Sequence, residues 1–80
     1  MTVERFLESL VSPYDNNNIV FYDECERVIA EYNFTRDTEN LTCLVNDLRN
    51  RFGDCKIFNF YAEPHWSYTK TGTMIYHLFV

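Results

Sequence analysis

The sequence predicts an α+β domain with elements in the order α-β-β-α-β-β, a four-stranded antiparallel sheet with two helices packed on one face. Three observations carry this expectation. Apolar residues recur at helical spacing in two separate segments, β-rich runs occur in two pairs, and Asn, Asp, Gly and Pro fall between them. The chain has 80 residues, so the expectation is a single domain over residues 1–80. Aromatics make up 18% of it, against two Gly and two Pro, which is the composition of a folded chain rather than a disordered one.

In the first segment Val3, Phe6, Leu7, Leu10 and Val11 fall on one helical face. Thr2 can cap that helix, Glu4 suits the positive end of its dipole, and Pro13 stops it. Asp15-Asn16-Asn17-Asn18 reads as a turn. Ile19-Val20-Phe21-Tyr22, a polar Asp23-Glu24-Cys25-Glu26 and a second run from Arg27 to Phe34 read as a hairpin with a four-residue loop. The second run sets Val28, Ala30 and Tyr32 against Ile29, Glu31 and Asn33, the alternation of a strand with one covered face.

Residues 35–54 hold a second helix and its entry loop, with Leu41, Leu44, Val45, Leu48 and Phe52 in register. Thr38 or Asn40 serves as N-cap, and Gly53 as the left-handed residue just past the end. Residues 56–63 are a strand by composition, ended by Pro64. Lys70-Thr71-Gly72-Thr73 reads as a tight turn before a last strand over residues 74–80. An apolar residue at position 80 implies that this strand is paired to its end.

Twelve acids against seven bases give a formal net charge of −5, which argues against direct nucleic-acid binding. The longest apolar run is four residues, far short of a membrane span. Glu4, Arg5 and Glu8 interrupt the N-terminal apolar residues, so a signal-peptide core is not expected there. Three widely spaced cysteines read as free thiols of a reducing cytoplasm. No Cys-x-x-Cys, His-Glu-x-x-His, phosphate-binding Gly loop, nucleophile elbow or Asp-x-Asp-x-Asp-Gly loop is present, so neither a metal nor another cofactor is expected. His77 reads as a strand histidine with a satisfied nitrogen rather than a general base. Cys43 reads as a buried helical thiol, and Cys25 as an exposed one.

Two features could meet a partner. Asp23, Glu24 and Glu26 gather at the hairpin tip, with Glu31 and Asp15 nearby and only Arg27 to offset them. They read either as a solvated loop that keeps the protein soluble or as a negative ridge facing a basic protein. Tyr61, His65, Trp66 and Tyr68 cluster around Pro64. Trp66 reads either as a cap on a small core or, with Tyr68, as an interface anchor.

Taken together, the opening helix Thr2-Val3-Glu4-Arg5-Phe6-Leu7-Glu8-Ser9-Leu10, the run Ile19-Val20-Phe21-Tyr22-Asp23 with Arg27-Val28-Ile29-Ala30, and the ending Gly72-Thr73-Met74-Ile75-Tyr76-His77-Leu78 resemble small orphan proteins of bacterial phages and mobile elements. Some of those are anti-CRISPR proteins. The resemblance implies a non-enzymatic inhibitor in the host cytoplasm whose carboxylates occupy the place of nucleic-acid phosphates on a CRISPR-Cas effector. Asp23, Glu24 and Glu26 would form the charged contact there, with Trp66 and Tyr68 as anchors. The alternative is an assembly module, in which an exposed sheet edge or the aromatic loop makes a homodimer.

Overall fold

A computed structural model describes residues 1–10, 17–34, 40–64 and 74–80. The elements are α1 (Val3–Glu8), β1 (Asn18–Tyr22), β2 (Val28–Asn33), α2 (Leu41–Phe52), β3 (Asn59–Pro64) and β4 (Met74–Phe79), so the α+β class and the element order are as expected.

The sheet is mixed rather than wholly antiparallel. Its strand order is β2-β1-β4-β3, and the two central strands, β1 and β4, run parallel. β1 and β2 pair antiparallel, as do β3 and β4. The helical connection through α2 returns the chain so that β3 runs in the same direction as β2. The two antiparallel units meet through β1 and β4, and with those directions only a parallel joint is available. Composition places these two strands at the centre. Parallel strands are buried on both faces and read as continuous apolar runs. Ile19-Val20-Phe21 of β1 is wholly buried, as are Leu78 and Phe79 of β4. β3, which carries Glu63 and Pro64, is exposed along its whole length at one edge.

Alternation then sorts the faces. Ile19 and Phe21 of β1, Tyr32 of β2 and Leu78 of β4 join Val3, Phe6 and Leu7 of α1, Leu48 and Phe52 of α2, and Phe34 in one buried cluster. Its centre is aromatic. Phe21 stacks on Phe52 at 4.1 Å, and Tyr32 meets Phe21 edge-on at 5.9 Å.

The helices are joined end to end. The carbonyls of Cys55 and Gly53, just beyond α2, accept the Val3 and Glu4 amides at 2.9 and 3.0 Å. Donors left over at the start of α1 are thus satisfied, and the Thr2 hydroxyl takes the Arg5 amide at 3.3 Å as the expected N-cap. Gly53 is not left-handed as expected: its φ is −52°, and a Cβ there would come within 2.4 Å of the Arg49 carbonyl oxygen. Glycine is needed at this position for close approach. Asn40 precedes α2 without a side-chain cap.

Two further expectations change. Asn18 belongs to β1 rather than to a turn, and Asn17 is buried with its side chain accepting the Met74 amide at 3.0 Å. Cys43 is exposed on α2, because the buried face of that helix runs through Leu48 and Phe52. Val80 does pair as expected, its amide bonding the Tyr22 carbonyl at 3.0 Å. Among the described residues, no helix is long and apolar enough to cross a membrane.

Tyr32 clamps β2 to α2. Its hydroxyl donates to Asp47 at 2.6 Å and accepts from Arg51 at 3.3 Å. Burial, and then the Asp47 carboxylate, push this phenol up to about 12. A phenol raised above its ordinary value of 10 stabilises the fold fully below pH 10 and loses that contribution as pH climbs toward 12. Urea midpoints measured between pH 8 and the alkaline limit should therefore fall more steeply for the wild type than for Tyr32→Phe, by on the order of 2 kcal/mol in all. Leu48, fully buried, tests the core: Leu48→Ala should remove about 3 kcal/mol in the same assay. That is a large share of the roughly 4–12 kcal/mol expected for a chain of this size.

Candidate functional site

The β1–β2 turn closes through two backbone bonds, Asp23 N–H to the Arg27 carbonyl and Glu26 N–H to the Asp23 carbonyl, each 3.0 Å. Asp23 organises it. One carboxylate oxygen accepts the Cys25 and Arg27 amides at 2.8 and 3.0 Å, and the other pairs with the Arg27 guanidinium at 3.0 Å. The Arg27 amide, ahead of the Cys25 amide and the Arg27 charge, holds the Asp23 carboxyl below its usual value.

Of the three expected contact acids, then, Asp23 is turned into the loop and neutralised there by Arg27. Glu24 and Glu26 are exposed and make no ion pair among the described residues. Glu26 adopts φ 62°, left-handed backbone that costs a non-glycine residue about 1 kcal/mol. Glu31 is exposed further along β2. Trp66 and Tyr68 lie outside the described residues, as does the expected turn at 70–73.

A second constellation sits on the sheet face turned away from the helices. The Glu63 carboxylate can only accept, so the His77 Nε2–H donates to it at 3.1 Å. That leaves Nδ1 bare, and it accepts the Tyr22 hydroxyl at 2.7 Å. Tyr61 stacks on the imidazole at 4.2 Å, and Tyr22 stacks on Phe79 at 4.6 Å. Burial first, then the neighbouring Tyr61 phenol and the Glu63 and Glu31 charges, raise the Tyr22 phenol and keep it a donor. With both nitrogens engaged and His77 only 8% exposed, the imidazole offers no free nitrogen to a substrate. The chain of bonds ties β1, β4 and β3 together.

Sequence reasoning anticipated a satisfied His77 but not its partners. The signal was alternation, which puts Tyr61 with Glu63 and Tyr22 with Val20. Joining those sets to His77 requires the pairings Tyr61 with His77 and Val20 with His77. No group of three metal-ligating side chains occurs among the described residues, and the three cysteines are free thiols.

No protein-family model, curated protein or solved structure matches this chain.

Tyr22→Phe removes the donor to Nδ1 without changing the ring's shape. It should lower stability by about 1–2 kcal/mol in urea unfolding and leave far-UV circular dichroism unchanged.

Proposed function

We propose that this chain is a non-enzymatic binding protein that covers a basic, nucleic-acid-handling surface of another protein. The concrete partner is the one the phage-protein resemblance implies, a CRISPR-Cas effector. The observation that supports this reading is how charge is arranged. Arg27, Arg49 and Arg51 are engaged by Asp23, Glu4 and Asp47, while Glu24, Glu26 and Glu31 stand exposed along the β2 side of the sheet. Exposed carboxylates on a closed turn can meet arginines bidentately with little loss of entropy.

The backbone at Glu26 adds weight. Glycine would occupy that left-handed position at lower cost, yet the position carries a carboxylate. Strain kept at an exposed charged residue points to a use for that residue. Asp23 acts in this scheme as a positioning residue, which shapes the turn from which Glu24 and Glu26 project.

Glu24→Lys with Glu26→Lys tests the contact and leaves the Asp23 turn in place. Guide-loaded CRISPR effectors, titrated with the protein, should lose target-DNA binding in a salt-dependent way. The double reversal should weaken that inhibition by about tenfold or more. Undiminished inhibition by the double variant rejects the site, and no inhibition of any effector by the wild type rejects the partner class. Glu26→Gly should raise stability by about 1 kcal/mol while weakening binding.

A further inference from the structure

On the sheet face turned away from the helices, His77 holds two side chains of β3 that also look outward, Tyr61 and Glu63. Tyr61 stacks one face on the imidazole, with centroids 4.2 Å apart and planes 11° from parallel. β3 is the last strand of the sheet, so the other face of the ring looks off the edge, and Tyr61 is 47% exposed. Its ring contacts among the described residues, His77 and Phe79, both lie on β4. Glu63 uses one carboxylate oxygen to accept the His77 Nε2–H at 3.1 Å. Its other oxygen makes no hydrogen bond among the described residues, and no arginine or lysine there pairs with it.

We propose that Tyr61 and Glu63 form a receptor for one arginine side chain of a protein partner, the guanidinium lying flat on the outer face of Tyr61 with its N–H edge on the Glu63 carboxylate. Three observations select that occupant. The first is spacing. Residues two apart on a strand project from one face about 7 Å apart. A cation on the Tyr61 ring therefore has the carboxylate at its edge, and a guanidinium carries donors around its whole edge.

The second is preorganisation. The same imidazole stacks on Tyr61 and bonds Glu63, and it is itself anchored by the Tyr22 hydroxyl at 2.7 Å. Side chains already fixed in place lose little entropy when a ligand docks.

The third is charge. Glu31 of β2 joins Glu63 in acting on the Tyr22 phenol, which places both carboxylates around the same group of rings. Arg27, Arg49 and Arg51 are paired with Asp23, Glu4 and Asp47. A nucleobase offers the same planar stacking, but its phosphates would meet these carboxylates on a chain of net charge −5. The compact ammonium of lysine cannot lie flat on a ring and pair edge-on at once.

This site extends the acidic contact proposed above to the other margin of the sheet, and it rests on that reading only for the identity of the partner. A surface bound at both margins would carry arginines across the three strand spacings between β2 and β3, roughly 14 Å.

Titration of the isotope-labelled full chain with N-acetyl-arginine amide, followed by amide NMR, tests the receptor. The expected result is saturable shifts at Tyr61, Glu63 and His77 with an affinity of roughly tens of millimolar, since an exposed cation–π contact and an exposed ion pair are each weak. N-acetyl-lysine amide and the uncharged N-acetyl-citrulline amide should bind at least about threefold more weakly. Glu63→Gln keeps an acceptor for the His77 Nε2–H, and Tyr61→Leu removes the ring face. Each should weaken arginine binding about two- to fivefold, with far-UV circular dichroism showing that both remain folded. Glu24→Lys with Glu26→Lys should leave the titration unchanged at physiological ionic strength, where charges that far apart are screened, so this contact and the acidic turn fail separately. Absence of shifts at these residues overturns the proposal, as does equal affinity for arginine and lysine. So does arginine binding that is undiminished in either folded β3 variant, or lost in the Glu24→Lys, Glu26→Lys variant.

Discussion

The parallel pairing of β1 with β4 holds the domain together. Each outer strand is bonded to one of these two, so without the central joint the sheet is two separate two-stranded ribbons. Such ribbons are marginal in water. Joined, they carry Ile19, Phe21 and Leu78 onto one face, where both helices supply Val3, Leu7, Leu48 and Phe52. The opposite face of the same joint is also buried at Val20, His77 and Phe79. A pair covered on both sides leaves no room for charge, which explains why the exposed acids of the sheet belong to the outer strands and to the turn.

The consequence is a sheet with two unlike margins. Along β2 and its turn, Glu24, Glu26 and Glu31 stand in solvent, while Arg27 is paired with Asp23 of the same turn and Arg49 and Arg51 are paired with Glu4 and Asp47 on the helices. Along β3, the Phe60 and Tyr61 rings stand about half exposed to solvent. Charge acts over roughly a Debye length of 8–10 Å and favours fast, salt-sensitive encounter with an oppositely charged surface. Apolar area acts only on contact and favours a partner of matching shape.

The turn between β1 and β2 shows how carboxylates take two roles according to side-chain length. Asp23 satisfies backbone amides and an arginine, and its charge is absorbed by the fold. Glu24 and Glu26, one and three residues on, have longer side chains and no such bonds among the described residues. Aspartate has the reach to bond amides two and four residues ahead, whereas glutamate at the same tip projects past them. The Tyr22–His77–Glu63 chain on the sheet makes a similar point for polar groups near the core. Each member has a partner, so the cluster adds rigidity across three strands.

Local pattern alone determined the element order, the buried stripe of α1, the Thr2 cap, the β1–β2 hairpin with its acidic tip and the pairing of the chain's last residue. These follow from periodicity and from side chains bonding backbone within a few residues. Only the tertiary structure decided that the central strands run parallel, that β3 lies at an edge, that His77 sits between Tyr22 and Glu63 and that Cys43 faces solvent. It also decided that Asp23 is neutralised and that Gly53 serves close packing rather than a left-handed turn. The physical reason is range. A period of two or of 3.6 tells which side of an element is apolar, but carries no information about which strand lies beside it or in which register. Those choices come from burying the most apolar pair of strands on both faces, a property of the whole chain.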